Sequence, residues 1–125
     1  MSWPTGKGFA LYAADPERES AIQKAGLNLA GGLDDLLAAA DIVIDCTPKK
    51  IAAQNVETYR DKGIRFIVHG GEKHSVTGHS FVAEANYETA LGRDSTRVVS
   101  CNTTSIVRTL SALKRSGLLG SARGT

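Results

Sequence analysis

Short apolar runs alternate with stretches of helical spacing along this chain. Phe9 to Ala13 reads as a strand. Pro16 opens a helix through about Ala25, with Glu17 and Glu19 in the first turn, where the helix dipole favours acids; Gly26 ends it. Leu27-Asn28-Leu29 is predicted as a brief strand, and Leu33, Leu36 and Leu37 mark a second amphipathic helix ending near Ala40. Ile42-Val43-Ile44, set between Asp41 and Asp45, has the pattern of a buried parallel strand. Cys46-Thr47-Pro48 then turns the chain into a longer helix carrying Ile51, Ala52, Val56 and Tyr59, which Gly63 stops. Ile64 to Val68 is the next strand and closes on His69-Gly70-Gly71. Val98 and Val99 end the last strand, and Ser100 to Thr104 leads into a helix with Ile106, Val107 and Leu110 at apolar spacing.

Strands alternating with helices of ordinary length define an α/β class, with a parallel sheet covered by helices on both faces. Such sheets bind ligands beyond the carboxyl ends of their strands. Three loops fall there: Cys46-Thr47-Pro48, His69-Gly70-Gly71 and Ser100 to Thr104. The chain shows no internal repeat and no low-complexity segment.

Length and composition narrow the class. The 125 residues suit one domain with a single core. A net charge of +2, with no basic run interleaved with aromatics, argues against nucleic acid. The two cysteines do not make a disulfide framework, and no apolar stretch reaches the length of a membrane span. The N-terminal residues lack the charged and apolar regions of a signal peptide. A reducing, cytoplasmic setting is the expectation.

Cys101 is the first chemical candidate. It is expected in the first turn of a helix, where unpaired N–H groups and the dipole favour a thiolate and can hold a developing oxyanion. The other reading is a small, half-buried residue in a polar turn. Gly70-Gly71 after a buried strand suits close approach of a ligand, or is a plain turn. His69, His74 and His79 are spaced five apart, a separation that places them apart on either a strand or a helix, so no metal site is expected. They read as solvated or loop histidines. Lys49-Lys50 suits a phosphate near a helix start, or a solvated surface. Cys46 is expected to be packed, and Asp45 is either a turn acid or a ligand contact. Gly6-Lys7-Gly8 precedes a strand and is therefore not the dinucleotide phosphate loop.

Three blocks in order, ADIVIDCTPKKIAAQN, HGGEKH and RVVSCNTT, resemble the archaeal-type phosphorylating glyceraldehyde-3-phosphate dehydrogenases. The resemblance runs from about Gly8 to about Leu113. It implies that Cys101 attacks the aldehyde, that Ser100 and Asn102 flank the substrate, that Thr103 and Thr104 lie near its phosphate, and that Gly71 touches NAD or NADP. Ser105 stands where a glycine is expected, and His69 where a different polar residue is. By the same resemblance the fold is Rossmann-like but lacks its first βαβ unit and the C-terminal catalytic domain. The phosphate-cradling loop is expected before Met1, and the catalytic histidine beyond Thr125. Residues 1–8 are expected to be a disordered end, 9–116 a partial NAD(P)-binding domain including the cysteine helix, and 117–125 a tail. Glyceraldehyde 3-phosphate and inorganic phosphate are the implied small-molecule partners, with a homotetramer of complete chains; no nucleic acid or membrane partner is implied. Low activity is expected of this chain by itself.

Two alternatives stand beside this reading. Another cysteine dehydrogenase, of the semialdehyde or acyl-phosphate kind, uses a related turn, although the GGEK block argues against it. A degenerate Rossmann-like module that binds nucleotide or protein without catalysis fits the missing glycine loop.

Overall fold

The computed structural model describes residues 7–48, 50–69 and 71–123. Lys49, Gly70 and Gly6, with most of the expected ragged end, lie outside the described residues. The chain falls into two compact units, Met1–Asp41 and Ile42–Thr125.

In the first unit, strand β1 (Tyr12–Ala13) pairs in parallel with β2 (Gly31–Gly32). Between them, Asp15 accepts a bond from Glu17 N at 3.0 Å and starts a 3-10 turn, Pro16–Arg18, that runs into helix α1 (Glu19–Lys24). Gly26 ends that helix at φ +77°, a conformation that favours glycine. The second strand lies two residues beyond Leu29, outside the expected Leu27–Leu29. Apolar pattern does not flag a glycine pair, and here pairing with β1 defines the strand. The reason for glycine is local: at the start of helix α2 (Leu33–Ala39), Asp35 reaches back to Gly32 N at 2.9 Å. A Cβ on Gly31 would meet that carboxylate at 2.5 Å. Ala13 and Leu37 are buried.

The second unit is a four-stranded parallel sheet, in the order β3 (Ile42–Asp45), β4 (Arg65–Val68), β6 (Ser95–Val98), β5 (Ser80–Phe81). Register puts Val43, Asp45, Phe66, Val68, Ser95 and Arg97 on one face. Helix α3 (Ile51–Asp61) packs there through Ala52, Val56 and Tyr59, with the Tyr59 and Phe66 rings 5.6 Å apart. The opposite face carries Ile42 and Ile44, which are 51% and 64% exposed. The expectation of a fully buried β3 is corrected: β3 is an edge strand of this sheet, and α3 covers only the Val43–Asp45 side. A short helix, α4 (Ala83–Asn86), follows β5, and α5 (Cys101–Arg115) follows β6. Arg108 Nε meets Glu84 Oε1 at 2.6 Å, and Arg115 donates to the Glu84 carbonyl, so one residue of α4 holds α5 at two points.

β5 has no apolar run to announce it. It forms because Ser80 and Phe81 pair with Arg97 and Val98, and the Arg97 side chain donates to Ser80 Oγ at 2.8 Å and to the Glu72 carbonyl at 2.6 Å. The reading of His79 as solvated is likewise corrected, since His79 is buried. Thr89 Oγ1 donates to the Asn86 carbonyl, so His79 Nε2–H donates to Thr89 and His79 Nδ1 accepts from Thr96. Burial, then the charges of Arg93 and His74, push its pKa down. The folded state therefore binds the neutral ring, and the unfolded chain takes up a proton first as pH falls through about 6.5. Stability is expected to drop between that pH and the lower folded-state value, and His79→Gln to flatten the drop; urea midpoints from pH 7.5 to 5 measure both.

Candidate functional site

The described carboxyl ends of β4 and β6 open on a cleft of about 780 Å³. His69 and Gly71 line it from beyond β4; Val98, Val99, Ser100 and Cys101 line it from the end of β6. Thr104, Ser105, Arg108 and Thr109 continue the wall along α5. Positions 101, 104, 105, 108 and 109 are one helix face, as 3.6-residue periodicity requires. The Cys46-Thr47-Pro48 turn is not part of this wall, so two of the three expected loops meet in it.

Cys101 is the first residue of α5 and is exposed. Ser100 caps the helix: its Oγ accepts from Thr103 N at 3.3 Å, and its carbonyl accepts from Thr104 N at 2.8 Å. Those two bonds satisfy the third and fourth amides of the helix. The N–H groups of Cys101 and Asn102 have no intrahelical acceptor available, because the carbonyls four residues before them lie outside the helix. The thiol at the cleft thus lies beside two backbone donors. Asn102 is exposed next to it, its Oδ1 3.9 Å from the Cys101 sulfur, and Thr103 is held by Ser100 through both its amide and its hydroxyl. Neither Asn102 nor Thr103 lines the cleft.

Gly71 adopts φ +81°, and a Cβ built on it meets nothing within 4 Å. Its backbone faces open space at the cleft, which fits the flat approach of a nucleotide ring. His69, a departure from the family pattern in the sequence, shares the cleft with Cys101. Its loop at the carboxyl end of β4 is one of the three that the sequence places at the ligand-binding edge.

The neighbouring turn is a structural device. Asp45 is buried and accepts from Thr47 N (2.8 Å), Thr47 Oγ1 (2.5 Å), Asn55 Nδ2 (3.0 Å) and Tyr59 OH (2.9 Å). This settles the open choice for Asp45 in favour of a turn acid. Burial pushes its carboxyl up, but the bonds from Thr47, Asn55 and Tyr59 outweigh burial and hold it below the usual carboxylate value. Burial and then Asp45 itself push the Tyr59 phenol well above its ordinary range. Cys46 is exposed, correcting the expected packed residue, because the Asp45 cluster and not the thiol fills the space beneath the turn. Lys50 is the only described non-glycine residue at positive φ (+79°), and its amide donates to the buried Glu72 carboxylate at 2.5 Å. Glu72, inside the HGGEKH block, holds this turn. Among the described residues no group of three His, Cys, Asp or Glu is placed to hold a metal, and no helix is long and apolar enough to cross a membrane.

The chain matches no protein-family model. It is 55% identical over 107 residues to the glyceraldehyde-3-phosphate dehydrogenase of Methanothermus fervidus, covering 86% of this chain and 32% of that protein. The enzyme of the same name from Methanothermobacter thermautotrophicus is 54% identical over 104 residues, 83% of this chain and 31% of that protein. The one from Methanococcoides burtonii is 46% identical over 119 residues, 95% and 35% respectively. The chain therefore spans about a third of the length of the curated relatives it matches. Over most of its own length, this chain is similar in sequence to the archaeal glyceraldehyde-3-phosphate dehydrogenases.

Proposed function

We propose that these residues supply the nucleophile and part of the cofactor site of an NAD(P)-dependent, phosphorylating glyceraldehyde-3-phosphate dehydrogenase. The observation that carries the reading is Cys101 at the start of α5, exposed in a cleft and beside two amides without intrahelical acceptors. The thiolate of Cys101 adds to the aldehyde carbon, and the Cys101 and Asn102 N–H groups receive the negative charge that develops on the carbonyl oxygen. A nicotinamide held beside Gly71 would supply the hydride acceptor. Cys101 then carries a thioester, and inorganic phosphate displaces its sulfur to release the acyl phosphate, 1,3-bisphosphoglycerate. Ser100 and Asn102 flank the substrate, and Gly71 admits NAD or NADP by leaving its backbone uncovered. The homotetramer and cytoplasmic location belong to the same reading. So does the assignment of residues 9–116 to a partial nucleotide-binding domain, with residues 117–125 as a tail.

The test is a chimaera in which this segment replaces the matching 107 residues of the Methanothermus fervidus enzyme. Turnover of glyceraldehyde 3-phosphate in the presence of NAD(P) and phosphate is expected. Turnover of aspartate semialdehyde alone would move the assignment to the related cysteine dehydrogenases, and binding of NAD(P) without turnover of either would favour a non-catalytic module. In the same chimaera, Gly71→Val is expected to raise the KM for NAD(P) by about tenfold, because a branched side chain at φ +81° is strained and covers the open backbone. An unchanged KM would remove Gly71 from the cofactor site.

A further inference from the structure

Nothing packs against Gly71 where a Cβ would stand, so its position in the cleft is decided by the residues that flank it. On the strand side, His69 N donates to the Asp45 carbonyl at 2.7 Å. On the other side Glu72 is held twice. Its buried carboxylate accepts from Lys50 N, and its carbonyl accepts from Arg97 Nη1 at 2.6 Å. Arg97 lies in β6, four residues before Cys101, and its amide donates to the His79 carbonyl at 3.1 Å. Its Nε donates to Ser80 Oγ at 2.8 Å. Ser80 is itself fixed, by pairing with Arg97 and by a bond from Asn86 Nδ2 to its carbonyl at 2.9 Å. Both side-chain bonds of Arg97 thus end on neutral oxygens of two different segments. A planar guanidinium with donors in fixed directions holds two such acceptors at a set separation, whereas a lysine ammonium is a single point.

We propose that Arg97 is a positioning residue: by tethering the Glu72 carbonyl it sets where the Gly71 backbone stands, and through Gly71 the affinity for NAD(P). The second clause rests on the reading of Gly71 as a cofactor contact; the tether does not. The strand that leads into Cys101 therefore also holds the turn on the opposite wall of the cleft. Without the guanidinium, Glu72 keeps its side-chain bond to Lys50 but loses the hold on its backbone. Gly71 then gains conformational freedom, because glycine restrains its own backbone least. A ligand that binds there has to order it first, which weakens affinity without touching the thiol.

Two measurements separate the tether from the cofactor reading. In this chain, the nitrogen–proton Overhauser effects of the Gly71 and Glu72 amides report order at the turn with no cofactor present. They are expected to fall in Arg97→Met, which keeps an apolar stem and removes both bonds, and to recover in part in Arg97→Lys. In the chimaera, Arg97→Met is expected to raise the KM for NAD(P) at least about fivefold, with kcat at saturation within about twofold of wild type. The rate of Cys101 alkylation relative to Cys46 stays the same. Ser80→Ala removes the other acceptor and spares the Glu72 carbonyl, so it controls for lost stability; its KM for NAD(P) is expected within about twofold of wild type. Unchanged order at Gly71 and Glu72 in Arg97→Met overturns the proposal. An equal rise in KM for Arg97→Met and Ser80→Ala, at matched urea midpoints, overturns it too, since it assigns Arg97 to sheet stability. So does lost order with an unchanged KM, if Gly71→Val raises that KM. If Gly71→Val leaves the KM unchanged as well, the tether stands and the cofactor reading of Gly71 is what fails.

Discussion

Serine at position 101 is expected to lower kcat of the chimaeric enzyme by on the order of a thousandfold or more, with little change in the affinity for NAD(P). The substitution keeps the size and polarity of the side chain and leaves the Ser100 cap intact, so α5 starts where it did. What changes is nucleophilicity, because a hydroxyl at neutral pH offers almost no alkoxide. The two amides beside residue 101 remain and still receive a carbonyl oxygen, so weak binding of the aldehyde persists while the covalent step is lost. Steady-state kinetics together with mass spectrometry of the acylated protein separate these steps. Retention of more than about a tenth of the rate would show that Cys101 is not the attacking group.

The second large effect belongs to stability. Asp45→Ala is expected to cost roughly 3 kcal/mol, read as a fall in the urea midpoint. Four donors converge on this carboxylate, and alanine leaves Tyr59 OH and Asn55 Nδ2 without their partner beneath the β3 turn. The folded-state pKa of Asp45 lies below its unfolded value, so its stabilising contribution is present above about pH 4 and is lost as pH falls through the folded value. Asp45→Asn, which cannot ionise, should shallow the acid limb of the stability curve. A limb of unchanged slope would assign acid sensitivity to other carboxylates. A loss under about 1 kcal/mol for Asp45→Ala would show that the turn is held mainly by the Lys50–Glu72 bond.

The sequence makes some of this architecture legible and hides the rest for physical reasons. The apolar runs Ile42–Ile44 and Ile64–Val68 announce parallel strands because the core-facing side chains are β-branched or aromatic. The helix from Ile51 to Asp61 appears as a 3.6-residue pattern because Ala52, Val56 and Tyr59 face the sheet. Strands β2 and β5 are two residues each and are made by pairing and by side-chain bonds to Asp35 and Arg97, which carry no periodicity. Exposure also resists reading: Ile42 and Ile44 look like core from their composition, yet their edge position leaves them open. His79 illustrates the converse. A polar residue in a polar stretch is buried because Thr89 and Thr96, ten and seventeen residues away, satisfy both ring nitrogens.

The candidate site divides along the same line. Cys101 and its cap are legible because helix capping is local, set by Ser100 and read within four residues. Gly71 is legible because a glycine after a strand signals an open backbone. Arg108 is not, since its membership in the cleft depends on how α5 and the end of β4 meet in space. Glu72 hides inside a recognisable motif while serving the turn before α3.

The most direct measurement of the central claim is the pair of alkylation rates for Cys101 and Cys46 in this chain at neutral pH, read by mass spectrometry of peptides over time. Both thiols are exposed, so each molecule carries its own control. A Cys101 rate at least about tenfold above that of Cys46 is the result expected of a nucleophile at a helix start beside amides without intrahelical acceptors. Equal rates, both those of an ordinary free thiol, would contradict the assignment of Cys101 as an activated nucleophile in this fold.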